Sequence, residues 1–159
     1  MNNHPEPKLN ELYQEVILDH NKRPRNFGAL PEATASAHGH NPLCGDDYRV
    51  YLVVDSANNI KKVNFEGQGC AISKASASMM TTLIEGKNKA EAEKLKDSFI
   101  HVITDNNVSE ATRSVVGRLK IFEGVKEFPV RVKCAALAWR TLEEALKENS
   151  QIKKEVSTE

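Results

Sequence analysis

Cysteine is scarce in this chain, with three in 159 residues. An odd, small number argues against a secreted disulfide framework and for reduced thiols that bind metal or react. Net charge is missing too. Lys plus Arg and Asp plus Glu each total 22, so bulk electrostatics give no reason to expect nucleic acid or an anionic membrane as partner. No apolar run is long enough to span a bilayer as a helix. Residues 1–7 lack the charged-then-apolar pattern of an export signal. These absences predict a soluble, cytoplasmic protein. No internal repeat or composition break divides the sequence. At 40% hydrophobic and 28% charged residues, it is expected to form one domain over 8–148, with loose tails at 1–7 and 149–159.

What is present is organised around the three thiols. Asn41-Pro42-Leu43-Cys44-Gly45-Asp46 carries a thiol and a carboxylate two residues apart. On extended backbone, side chains at i and i+2 leave on the same side, so Cys44 and Asp46 can face one point. Cys70 follows Gly67-Gln68-Gly69, Cys134 follows Phe128-Pro129-Val130-Arg131-Val132-Lys133, and each is expected to open a helix. The unpaired N–H groups and positive dipole end of a helix start favour a thiolate. Three thiolates and one carboxylate form a tetrahedral donor set that suits zinc or the edge of an iron–sulfur cluster. The expected metal ligands are therefore Cys44, Asp46, Cys70 and Cys134.

With zinc bound, that site would keep about two negative charges. Arg131 and Lys133 flank Cys134 and could offset part of them. Arg131, in a tight proline-containing approach to the ligand, is favoured as a supporting site residue, whereas Lys133 also fits an ordinary solvated loop. His38 and His40 compete with Asp46 for the fourth ligand position, since imidazole is a common zinc ligand. The spacing from Cys44 favours Asp46. His4, His20 and His101 have no such context.

Periodicity supplies the frame. Leu9, Leu12, Tyr13, Val16 and Ile17 mark a helix from Lys8 to about Asn21, followed by a basic loop to Gly28. That loop reads either as a solvated turn or as a docking element. A weak strand at 34–40, a strong one at 49–54 and a third at 60–66 are expected, the last two joined as an antiparallel hairpin through Asp55–Asn59. The Ala- and Ser-rich stretch after Cys70 is a helix able to approach the sheet closely. Helical patterns follow at 89–96 with an apolar continuation to Ile103, at 115–122 ended by Gly124, and from Cys134 onward. The fold class is α+β: a small antiparallel sheet of about three strands with helices on one side.

The three cysteine segments, with Asp19-His20-Asn21-Lys22-Arg23-Pro24-Arg25-Asn26, resemble the motifs of the IscU/NifU-like iron–sulfur cluster assembly proteins. The resemblance spans roughly residues 8 to 147. Lys133, where IscU scaffolds carry a histidine, and a longer segment between Cys70 and Cys134 make it similar to the SufU branch. That resemblance implies a zinc-dependent sulfurtransferase. A SufS-type cysteine desulfurase would be its partner and a downstream Suf cluster scaffold its recipient. Docking would exchange one zinc ligand for a histidine of the partner, free Cys44, and let it take persulfide sulfur. Two other readings remain open: an IscU-type scaffold assembling a [2Fe–2S] cluster on the same cysteines, and a non-catalytic zinc-stabilised interaction module.

Overall fold

The computed structural model describes residues 7–148 and 155–157, with side chains over 14–147. The expectations for residues 1–6, 149–154 and 158–159, and the side chains of Leu9, Leu12 and Tyr13, lie outside the described residues. Helix α1 spans Pro7–Lys22, and β1 (Ala35–Asn41), β2 (Asp46–Val54) and β3 (Ile60–Gln68) follow. Next come α2 (Ala71–Ile84), α3 (Lys89–Thr104), α4 (Glu110–Val116), a 3-10 helix over Gly117–Glu127, α5 (Pro129–Glu148) and β4 (Glu155–Ser157).

The described strands form one sheet in the order β3-β2-β1-β4. The first three are antiparallel, as expected for an α+β fold of this size. The fourth is a short strand parallel to β1, at positions where a loose tail was expected. Burial alternates along the sheet with period two. Ala35, Ala37, Gly39 and Asn41 of β1, and Asp46, Tyr48, Val50, Leu52 and Val54 of β2, face inward. The helices α2 and α5 pack against that inner face.

Small residues let α2 approach closely. Ala75, Ser76, Ala77 and Ser78 are all buried. Ser76 is satisfied twice: its hydroxyl donates to the Ala135 carbonyl at 2.7 Å and accepts the Trp139 indole N–H at 3.1 Å. Phe99 of α3 packs on Trp139 and meets Phe122 edge-on.

Two helix expectations need correction. The segment around Val115–Phe122 is not one helix ended by Gly124. It is α4 followed by a 3-10 helix that runs through Gly124 to Glu127. Val116, Leu119, Phe122 and Val125 are buried at intervals of three, which matches three residues per turn. Helix α5 begins at Pro129, five residues before Cys134. The Phe128 carbonyl accepts the Arg131 and Val132 N–H groups at 2.8 and 3.1 Å, and proline suits the first helical position.

The basic loop after α1 is held on several sides. Asp19 receives the Arg23 and Arg25 guanidinium groups, each at 2.6 Å, and these hold its carboxyl down at about 2. The Arg25 N–H reaches Ser78 Oγ at 2.8 Å, and Phe27 packs edge-on against Phe65.

Candidate metal centre

The hairpin between β1 and β2 turns through Pro42–Gly45, with Asn41 paired to Asp46. Cys44 is therefore at a turn and not on extended backbone. The Cys44 and Gly45 N–H groups both donate to the Asn41 carbonyl, at 3.2 and 2.9 Å. Gly45 takes a φ of 73°, a left-handed conformation that glycine adopts without steric cost. The tight tip brings the thiol and the carboxylate together. Cys44 Sγ lies 3.8 Å from Asp46 Oδ2, and Asn41 Nδ2 donates to Cys44 Sγ at 3.1 Å.

Asp46 is 1% exposed. Its Oδ1 accepts the backbone N–H of Cys70 at 3.0 Å, so the end of the β2–β3 hairpin does deliver Cys70 beside it. Cys70 occupies the N-cap of α2, where its sulfur accepts the Ser73 N–H at 3.4 Å. Close approach explains Gly69: a Cβ there would stand 2.5 Å from both Asp46 Oδ1 and Ser73 Oγ, and 2.6 Å from Tyr48 Oη.

Cys134 arrives from α5, and its Sγ lies 3.2 Å from Cys44 Sγ. The sulfurs of Cys44 and Cys134 and an oxygen of Asp46 fall within 4.8 Å of one another. Cys70 adjoins this triad through a hydrogen bond with Cys134. The coupling to Cys134 holds the Cys70 thiol down at about 6 and pushes Cys134 well up. Burial pushes Cys44 up, and the neighbouring Asp46 charge adds to the effect. A buried carboxylate facing part-buried and buried thiols, with Oδ2 directed at sulfur, is costly unless a cation joins it. The donor set thus fits a thiophilic divalent ion such as zinc, and equally an iron–sulfur cluster.

The other expected residues lie elsewhere. His38 and His40 project from the outer face of β1, opposite to Asn41, and His38 Nε2 meets Asp47 Oδ1 at 2.7 Å. Strand alternation removes both from competition with Asp46. Cys134 is inside α5, so a helix start acts on Cys70 alone. Arg131 is exposed on the first turn of α5 rather than in a loop, with its guanidinium 5.4 Å from the centre of the Phe128 ring. Lys133 is half-buried beside Cys134. Sequence reasoning missed Asn41 and Ser73, which hydrogen-bond the sulfurs of Cys44 and Cys70. Asn three residues before one cysteine and Ser three after the other were the available signals.

A hairpin tip, a helix cap and a helix interior converge on one thiol and carboxylate cluster, the arrangement of a candidate metal site. Residues 12–135 match the NifU-like N terminal domain, and the chain belongs to that family. It is 38% identical over 143 residues to the iron–sulfur cluster assembly scaffold protein IscU of Streptococcus pyogenes serotype M1, covering 90% of this chain and 87% of the relative. It is also 38% identical over 138 residues to the zinc-dependent sulfurtransferase SufU of Bacillus subtilis, covering 87% and 91%. Among solved structures, it is similar to a SufU-type cluster assembly scaffold protein of Fervidobacterium islandicum AW-1. That match has a TM-score of 0.77 at 38% identity and covers 86% of this chain and 97% of the other. These relatives support membership of the SufU/IscU-like group.

Proposed function

We propose that this protein is a zinc-dependent sulfurtransferase of iron–sulfur cluster assembly, taking persulfide sulfur from a SufS-type cysteine desulfurase onto Cys44. Iron–sulfur cluster assembly of the IscU/SufU type is the broader activity, in keeping with both sets of relatives. The observation that carries the finer reading is the unequal tethering of the three thiols. Cys134 is buried within α5 and Cys70 caps α2, whereas Cys44 is half-buried on a glycine-containing hairpin tip. Cys44 alone of the three is tied neither into a helix nor to a helix cap, so it leaves the cluster with the least disturbance.

Zinc would be held by Cys44, Asp46, Cys70 and Cys134, and when bound it supplies the positive charge that keeps buried thiols deprotonated. The chain's own residues do the rest. Asn41 donates to the Cys44 sulfur and steadies a thiolate there. Asp46 fixes the start of α2 through the Cys70 N–H. The Cys44 thiolate attacks the outer sulfur of the desulfurase persulfide. A new sulfur–sulfur bond forms on Cys44, and the desulfurase cysteine leaves as thiolate. Arg131 is proposed to support docking from its exposed position on α5, and a downstream Suf cluster scaffold to receive the sulfur.

The test pairs metal analysis with a desulfurase assay. One zinc per chain and a rise in cysteine turnover that Cys44→Ala abolishes are expected. Iron with a visible-absorbing cluster and no change in turnover would establish the scaffold instead. Zinc without effect on turnover would establish the structural module.

A further inference from the structure

Within the cluster, Cys44 Sγ meets Cys134 Sγ at 3.2 Å. These two sulfurs come from residues 90 apart in the chain, so the tertiary fold sets the contact. Cys70, the third thiol, also adjoins Cys134, but its sulfur is held as a helix cap that accepts the Ser73 N–H. Accepting sulfur does not require one cysteine to touch another. A thiol against the acceptor's inner sulfur is, however, the arrangement needed to discharge a persulfide.

We infer that Cys134 is the resolving thiol, which releases the sulfur carried on Cys44 as hydrosulfide by forming a Cys44–Cys134 disulfide. The inference rests on Cys44 being the sulfur acceptor. The step balances as follows. Cys134 Sγ attacks Cys44 Sγ of the Cys44 persulfide, and the Sγ–Sγ bond forms. The bond from Cys44 Sγ to the outer sulfur breaks, and that sulfur leaves with the electron pair and its own proton as hydrosulfide. The proton given up by Cys134 passes to bulk water as the sulfur departs. Both cysteines are oxidised to the disulfide while the outer sulfur is reduced to the sulfide level. A dithiol reductant then restores the two thiols for the next round.

The geometry selects this path over transfer of sulfur along the chain. Cys134 faces the inner sulfur at near-attack distance, whereas the outer sulfur projects one bond farther from Cys44. Hydrogen sulfide is more acidic than a cysteine thiol, so hydrosulfide is also the better leaving group. Cys134 is 3% exposed, which screens the resolving thiol from outside disulfides and reserves it for Cys44.

The experiment charges the full chain with sulfur in two ways, from a SufS-type desulfurase with cysteine and from inorganic polysulfide, and then removes the donor without adding reductant. Hydrosulfide is measured against time, and intact mass and peptide mapping locate the products. The expected result is about one hydrosulfide per chain with a mapped Cys44–Cys134 disulfide. In Cys134→Ser and Cys134→Ala, the extra sulfur should stay on Cys44 and hydrosulfide appear at least about tenfold more slowly. Wild-type protein that keeps its sulfur on Cys44, or passes it to Cys134 as a persulfide, would overturn the inference. So would equal release from both Cys134 variants. Charging and discharge with polysulfide but not with the desulfurase would support the resolving role while refuting the sulfurtransferase reading.

Discussion

Asp46 receives the Cys70 N–H on one oxygen and faces Cys44 with the other, so its replacement acts on both the proposed metal site and the fold. Asp46→Ala should strip zinc without removing any thiol, seen as a metal-to-protein ratio well below one with the number of titratable thiols unchanged. Gly69→Ala tests the same carboxylate from outside. The added methyl meets Asp46 Oδ1, Ser73 Oγ and Tyr48 Oη, and overpacking of this kind costs about 1–3 kcal/mol. Its denaturation midpoint should fall and its zinc affinity with it, whereas Gly124→Ala, with nothing within 4 Å of the added Cβ, should lower neither by a comparable amount. At this scale the meeting of the cysteines and Asp46 was legible because few residue types carry donors for a thiophilic metal. The histidines stayed in competition with Asp46 because nearness in sequence says nothing about the face of a strand. His38 and Asn41 differ by an odd number of residues, and that parity placed His38 on the wrong side of the sheet.

Among the elements, the second hairpin was the most readable. Alternating β-branched residues flank a turn in which Asp55 Oδ1 accepts the Ala57 and Asn59 N–H groups, both at 2.9 Å, and strands and turn agree. The start of α5 was less readable, since a proline read as part of a loop is also the preferred first residue of a helix. The 3-10 helix was obscured because spacings of three and of three to four look alike over so short a run. Helix α3 is fixed by a full capping box between Asn88 and Glu91. Asn88→Ala should therefore lower stability by about 1 kcal/mol, visible as a drop in melting temperature with zinc content unchanged. Ser76→Ala should cost about 1–3 kcal/mol, because it leaves the buried Trp139 indole N–H without its acceptor. A red-shift or altered quantum yield of the single tryptophan would report the change.

Across the whole molecule, acid and metal removal act through different groups. His20 is buried with Nδ1 against Ser78 Oγ at 2.7 Å, and burial lowers its pKa from 6.5. The unfolded chain takes up a proton at His20 as pH falls through 6.5, while the folded chain resists it. Stability is then fully present above that pH and declines below it until the lower folded pKa is reached, by at most about 1.4 kcal/mol per pH unit from this one group. Urea midpoints of zinc-loaded protein between pH 7 and 5 should show the decline, and His20→Gln should flatten it. Chelation should lower the melting temperature at constant pH. At zinc a hundredfold above its dissociation constant, the loss corresponds to about 2.7 kcal/mol, and added zinc should restore it.

The loops that brace β3 have a further effect. Asn26 and Gly28 exchange backbone hydrogen bonds with Phe65, and Gly86 and Lys87 do so with Ile60, so the outer side of this strand is already occupied near its middle and at its start. An incoming polypeptide finds no continuous ladder of free amides there. Recognition by strand addition, and the edge-to-edge stacking that seeds aggregates, are both blocked along that border. A visiting protein is left to engage side chains, and the exposed Leu43, Phe128 and Val130, each within a few residues of a cluster thiol, offer it the apolar footing.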